Sequence, residues 1–160
     1  MSQVTVYVWV SLLKAQSPGH AALSIDGASY PSSGYVSFAP LQSGSISGAG
    51  NFYDRFHDDE HYKGRGVWIG TIIGLDTTKM LEQIKADVAA APAYGPMNQC
   101  ATTVRRYLKL GGGDAFASRW SRNSIPPISP DDVEDYAKSI VAGTRQSGST
   151  GQTIRGKGSL

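Results

Sequence analysis

Only one cysteine, Cys100, stands among 160 residues, which excludes an internal disulfide framework and any cysteine-only metal site. Long apolar runs are missing too: no stretch approaches the roughly 20 residues a helix needs to cross a bilayer. The start Met1-Ser2-Gln3-Val4 has no basic segment ahead of an apolar one. A product made in the cytoplasm without a cleaved signal is therefore expected, and secretion would need a dedicated machine. Charge is sparse, at 18% of residues, and fifteen Lys plus Arg against thirteen Asp plus Glu leave a net charge of +2. That is too little to mark a nucleic-acid-binding surface by bulk electrostatics. What is present is 40% hydrophobic residues with eight Tyr and three Trp, the composition of one domain folded around a core. No internal repeat is visible.

Val4, Val6, Val8 and Val10 alternate with Thr5, Tyr7 and Trp9, a period of two that predicts a strand over residues 4–12. The turn signal Ser17-Pro18-Gly19 precedes the run His20-Ala21-Ala22-Leu23-Ser24-Ile25-Asp26. After Gly27, a second run over residues 30–38 completes a hairpin. Residues 41–51 are small and polar and read as a long mobile loop. Val67-Trp68-Ile69-Gly70-Thr71-Ile72-Ile73 has the composition of a buried strand. A helix with Met80, Leu81, Ile84 and Val88 on one face is expected over residues 76–91, capped by Asp76 or Thr77. A second is expected over residues 98–110, with a left-handed stop in Gly111-Gly112-Gly113. A third starts at Ser129-Pro130 and buries Val133, Tyr136, Ala137 and Ile140, with Gly143 as its stop. The domain is thus drawn at residues 1–143, and residues 144–160, rich in Gly, Ser and Thr, read as a flexible or disordered tail.

Cys100 falls in the first turn of the second helix, where unpaired N–H groups and the positive end of the helix dipole favour a thiolate. The bland alternative is a small buried hydrophobe, since Cys100, Val104 and Leu108 share one helical face. His20 follows a Pro-Gly turn and opens an apolar strand, so its ring projects from a rigid edge, as a general base for a thiol must. A strand-edge histidine satisfied by a backbone carbonyl is the alternative there.

Gly19-His20-Ala21-Ala22-Leu23-Ser24-Ile25, then Tyr35-Val36-Ser37-Phe38-Ala39-Pro40, and later Asn98-Gln99-Cys100 leading a helix that ends in Leu110-Gly111-Gly112, resemble the circularly permuted papain-like hydrolases. These are related to the NlpC/P60 cysteine peptidases and include the LRAT-like and PPPDE-type families. In the permuted order the histidine strand precedes the cysteine helix, as in residues 4–112 of this chain. The resemblance implies an α+β papain-like fold, an antiparallel sheet of about four to six strands packed against the Cys100 helix. It implies a Cys100–His20 dyad, with the Cys100 N–H in the oxyanion hole and a third polar residue on the strand after the histidine strand. That strand offers Tyr30, Ser32, Ser33 and Ser37 but no carboxylate or second histidine. Ser37 is preferred because Tyr-x-Ser-x-x-Pro looks like the matching motif of related bacterial toxin domains. A cysteine peptidase or amidase acting on peptidoglycan stem peptides follows from the same resemblance. It would be an antibacterial effector, delivered to a competitor's periplasm by a type VI system and opposed by an immunity protein, with no cofactor. Deamidation or cleavage of a protein, acyl transfer by the same dyad, and a non-enzymatic binding domain are the alternatives.

A rival constellation, His57-Asp58-Asp59-Glu60-His61, matches the spacing of a zinc metallopeptidase motif, with Glu60 as base. It has little apolar periodicity and no third ligand downstream, so a solvated charged loop or an occluding lid is the preferred reading, and no metal is expected. Gly111-Gly112-Gly113 lacks the lysine of a phosphate loop. Arg105 and Arg106 are placed on the wet face of their helix. Arg119 and Arg122 beside Trp120 form a small anion patch or plain surface, and Trp9 and Trp68 are core or sheet-face residues.

Overall fold

The structure, a computed structural model, describes residues 2–9, 19–30, 33–42, 45–62 and 66–154, with the backbone alone for residues 60–62. Among the described residues seven antiparallel strands, rather than the four to six expected, form one sheet: β1 (Gln3–Trp9), β2 (His20–Ile25), β3 (Tyr35–Pro40), β4 (Gly48–Tyr53), β5 (Val67–Ile73), β6 (Ala93–Tyr94) and β7 (Thr150–Ile154). They lie in the order β6-β4-β3-β2-β1-β5-β7. The helices are α1 (Thr77–Ala90), α2 (Cys100–Leu110), α3 (Arg119–Arg122) and α4 (Pro130–Gly143), and the chain is α+β. Residues 10–12 of the first expected strand and residues 31–32 of the expected hairpin lie outside the described residues.

The alternation in β1 divides the sheet into two faces, because residues directly opposite in an antiparallel pair point the same way. Val4, Val6 and Val8 face Ile25, Leu23 and Ala21 on β2 and Ile72, Gly70 and Trp68 on β5. This face is covered by α2 and α4, while α1 packs on α2. Met80, Ile84, Val104, Leu108, Tyr136 and Ile140 fill the layer between and are essentially inaccessible. Each such side chain contributes about 1.5–3 kcal/mol by leaving water. Gly70 is required within this face, since a Cβ there would meet the Trp68 indole at 2.1 Å. The opposite face carries Tyr7, Trp9, His20, Ala22, Tyr35 and Ser37, by the same pairing rule. A 3-10 segment, Phe56–Tyr62, lies across part of it.

The helix starts follow their sequence signals. Asp76 caps α1 by accepting from the Lys79 N–H, and Ser129 with Asp132 makes a reciprocal capping box at the start of α4. The left-handed turn after α2 is at Gly112, with φ 88°, whereas Gly111 keeps φ −71°. Gly143 is helical and is needed for close approach rather than for a stop: a Cβ there would meet the Phe116 carbonyl oxygen at 2.5 Å.

Three expectations are corrected. The mobile loop over residues 41–51 is in part strand, because β4 pairs with β3 from Gly50 to Tyr53 and its start pairs with β6. Its glycines hide the alternation, and backbone bonds rather than apolar side chains specify it. The expected flexible tail over residues 144–160 contains, in its described part, a 3-10 turn at Arg145–Ser147 and then β7, paired with β5 from Thr150 to Thr71 through Ile154 to Val67, while residues 155–160 lie outside the described residues. Every β7 residue is exposed, so no burial pattern marks it, but Gly151 lets the strand lie against the Trp68 indole. Arg105 is buried rather than on a wet face: its guanidinium donates to the carbonyls of Ser121, Arg122 and Ser124 and sits over the Tyr136 ring. It thereby terminates the backbone around α3, while Arg106 reaches Asp87 on α1.

Candidate active site

Cys100 is the first residue of α2, so its N–H has no partner within the helix and its sulfur sits at the positive end of the dipole. Gln99 precedes it in extended conformation and is tied down by a bond from its side-chain amide to the Ile128 carbonyl. His20 opens β2 opposite Trp9, whose ring lies 5.5 Å from the imidazole. The two meet at the end of the sheet: the thiol arrives from the helical side and the imidazole from the opposite face. His20 and the backbone N–H of Ala21 both hydrogen-bond to the sulfur. The Tyr94 hydroxyl approaches the sulfur at 3.9 Å.

Behind the imidazole stands a chain of polar groups. His20 Nε2 lies 2.7 Å from Ser37 Oγ, which donates at 3.1 Å to Asp59 Oδ1. Asp59 Oδ1 is also 3.3 Å from Nε2, and Oδ2 accepts a short bond from the Tyr35 hydroxyl. An ionised carboxylate only accepts, so the Ser37 proton points to Asp59 and Nε2 must donate to Ser37. That order fixes the proton on Nε2 and leaves Nδ1 as the nitrogen that can take a proton from the thiol.

The electrostatics agree with this arrangement. Burial opposes charge on His20, but the neighbouring Cys100 sulfur and the bond to Asp59 outweigh it and raise its pKa to about 9. Burial likewise pushes the Cys100 thiol up, and the His20 charge, with hydrogen bonds from His20, Ala21 and Tyr94, brings it below the usual thiol range. Burial also disfavours ionised Asp59, yet bonds from His20, Tyr35 and Ser37 hold its carboxyl below the usual value. Tyr35 moves up, through burial first and the Asp59 charge second. These directions favour a thiolate–imidazolium pair backed by a carboxylate.

All three residues singled out in the sequence, His20, Ser37 and Cys100, thus come together. Asp59 was missed. It belongs to the segment read as a solvated charged loop or a lid, yet it is only 2% exposed, because the 3-10 turn directs it inward while His57 and Asp58 face solvent. The side chains of Glu60 and His61, needed for the metal reading, lie outside the described residues. The available sequence signal was Phe56, an aromatic residue three positions before Asp59. Cys100 is 3% exposed, and a depression of about 660 Å³ beside Trp120 and Ile125 is lined by other residues. No protein-family model, curated protein or solved structure matches the chain.

Proposed function

We propose that this chain is a cysteine hydrolase of the circularly permuted papain-like type, cleaving amide bonds. The observation that supports this reading best is the Cys100 thiol at the start of α2, hydrogen-bonded to an imidazole whose far nitrogen is held by Ser37 and Asp59. In the reaction the Cys100 thiolate attacks the carbonyl carbon and forms a C–S bond. The oxyanion is received by the Cys100 N–H. The proton held on His20 passes to the leaving nitrogen as the C–N bond breaks, leaving a thioester and a neutral imidazole. A water then gives its proton to His20 and its oxygen to the acyl carbon, releasing the acid and restoring the thiolate–imidazolium pair. Ser37 and Asp59 keep the ring in the donating tautomer and stabilise its charge throughout.

The substrate named first is the stem peptide of peptidoglycan, on the resemblance to NlpC/P60-related toxin domains. An effector of this kind would be delivered to the periplasm of a competitor by a type VI system, with an immunity protein covering the site. Purified sacculi incubated with the protein are expected to release cleaved muropeptides, detectable by chromatography, and periplasmic expression is expected to lyse cells. Cys100→Ala and His20→Ala are each expected to lower hydrolysis by more than about a thousandfold without unfolding the protein. Killing that persists in either variant, or a folded protein whose Cys100 resists iodoacetamide at neutral pH, overturns the reading. Turnover of a protein or lipid ester instead of sacculi would keep the dyad and replace the substrate.

A further inference from the structure

Asp59 reaches His20 from outside the sheet, and the strand ladder does not hold it there. Its segment follows β4, where Ser33 Oγ donates to the Asp54 carbonyl at 2.6 Å and the Asp58 N–H bonds to the Arg55 carbonyl. A further attachment is aromatic. The Phe56 ring lies 5.3 Å from Tyr7, 5.8 Å from Trp9 and 5.9 Å from Tyr35, although Phe56 is 43% exposed. Two of those three residues also touch the site: Trp9 stands against His20, and Tyr35 donates to Asp59. A 3-10 helix has three residues per turn, so residues three apart project from the same side. Phe56 and Asp59 are so spaced within the segment.

We propose that Phe56 is a positioning residue: seated among Tyr7, Trp9 and Tyr35, it holds the 3-10 segment so that Asp59 meets Ser37 and His20. Its catalytic consequence rests on the hydrolase reading above, whereas the placement of Asp59 is independent of any substrate. Among the described residues, the titratable groups acting on His20 are Cys100 from α2 and Asp59 from the 3-10 segment. Tyr35 on β3 acts on Asp59, Asp58 and Tyr7 on Tyr35, and Tyr94 on Cys100. Asp59 is the one carboxylate among them in contact with the ring, so releasing it lowers the imidazole pKa.

The test is an NMR titration of the His20 imidazole in the full chain. Asp59→Asn is expected to lower its pKa from about 9 by roughly one unit or more, as removal of an opposite charge at this distance does. Phe56→Ala is expected to lower it in the same direction with Asp59 intact, Phe56→Tyr to restore it, and the double variant to fall no further than Asp59→Asn alone. Phe56→Met, which keeps most of the volume, serves as a milder variant should Phe56→Ala fail to fold, and is expected to give a smaller drop of the same sign. An unchanged His20 titration in the folded Phe56 variants, beside a shifted one in Asp59→Asn, overturns the proposal and leaves the hydrolase reading standing. An unchanged titration in Asp59→Asn also overturns the proposal, since Asp59 would then not act on the ring, and leaves the Cys100–His20 dyad to its own tests. Shifts as expected without hydrolysis of any substrate remove the enzymatic reading and retain the positioning role.

Discussion

On the helical face of the sheet, Val4, Val6 and Val8 meet Ala21, Leu23 and Ile25 beneath α2 and α4, and every one of these side chains is sealed in hydrocarbon. On the opposite face, Tyr7, Trp9, Tyr35 and Phe56 surround a polar chain that runs from Asp59 through Ser37 to His20. The first face buries apolar area and supplies stability. The second buries a carboxylate and an imidazole, which costs free energy unless each is paired, and it spends stability on holding a charge in place. They meet at one point, the end of β2, where Cys100 leaves the apolar layer and its sulfur receives the Ala21 N–H.

The sharpest way to break this division is to cut each side in turn. Leu108→Ala, on the helical face, is expected to destabilise the protein by about 2–5 kcal/mol in denaturant titrations while leaving turnover per folded molecule nearly intact. Asp59→Asn is expected to do the reverse, lowering kcat by about a hundredfold or more with a smaller change in unfolding free energy. Equal losses of stability and turnover in both variants would show that the two faces are one cooperative unit. Tyr94→Ala removes the phenol beside the sulfur and is expected to speed iodoacetamide alkylation of Cys100 several-fold, measured by mass spectrometry. An unchanged rate would mean that access runs past other side chains.

The smallest expected effect is acid sensitivity. Asp59 has a folded pKa below its unfolded value, so its contribution to stability is present above about pH 4 and is lost as pH falls through the folded value. Denaturation at pH 7 and pH 3 is therefore expected to show a larger acid loss for the native chain than for Asp59→Asn. At higher pH the linkage has a different sign. His20 has a folded pKa raised to about 9, so its stabilisation is present below the unfolded value near 6.5 and declines as pH rises through 9. Cys100, lowered on folding, contributes in the opposite direction.

The helical face was legible because its residues repeat with a physical period: two in β1, and three to four in α1, α2 and α4. His20 was legible because the Ser17-Pro18-Gly19 turn signal marks the start of its strand, and Cys100 because it opens the helical face that it shares with Val104 and Leu108. The strands β4 and β7 were not, since glycine, asparagine and exposed threonine carry no alternation, and backbone pairing leaves no trace in side-chain type. Asp59 was illegible for another reason. Among the described side chains of this charged run, His57, Asp58 and Asp59, it is Asp59 that turns inward, and composition does not say so. That choice is made by a ring three residues upstream docking on a distant strand.

The closing strand β7 bears on how this protein can be shortened. A chain cut back to residue 143, where composition suggests the domain ends, would bare the backbone donors and acceptors along the outer side of β5 and the indole edge of Trp68. An open ladder of that kind pairs readily with another copy of itself. Thr150–Ile154 take over that edge and cover β5 and the indole, so they belong to the folded domain although composition marks them as dispensable.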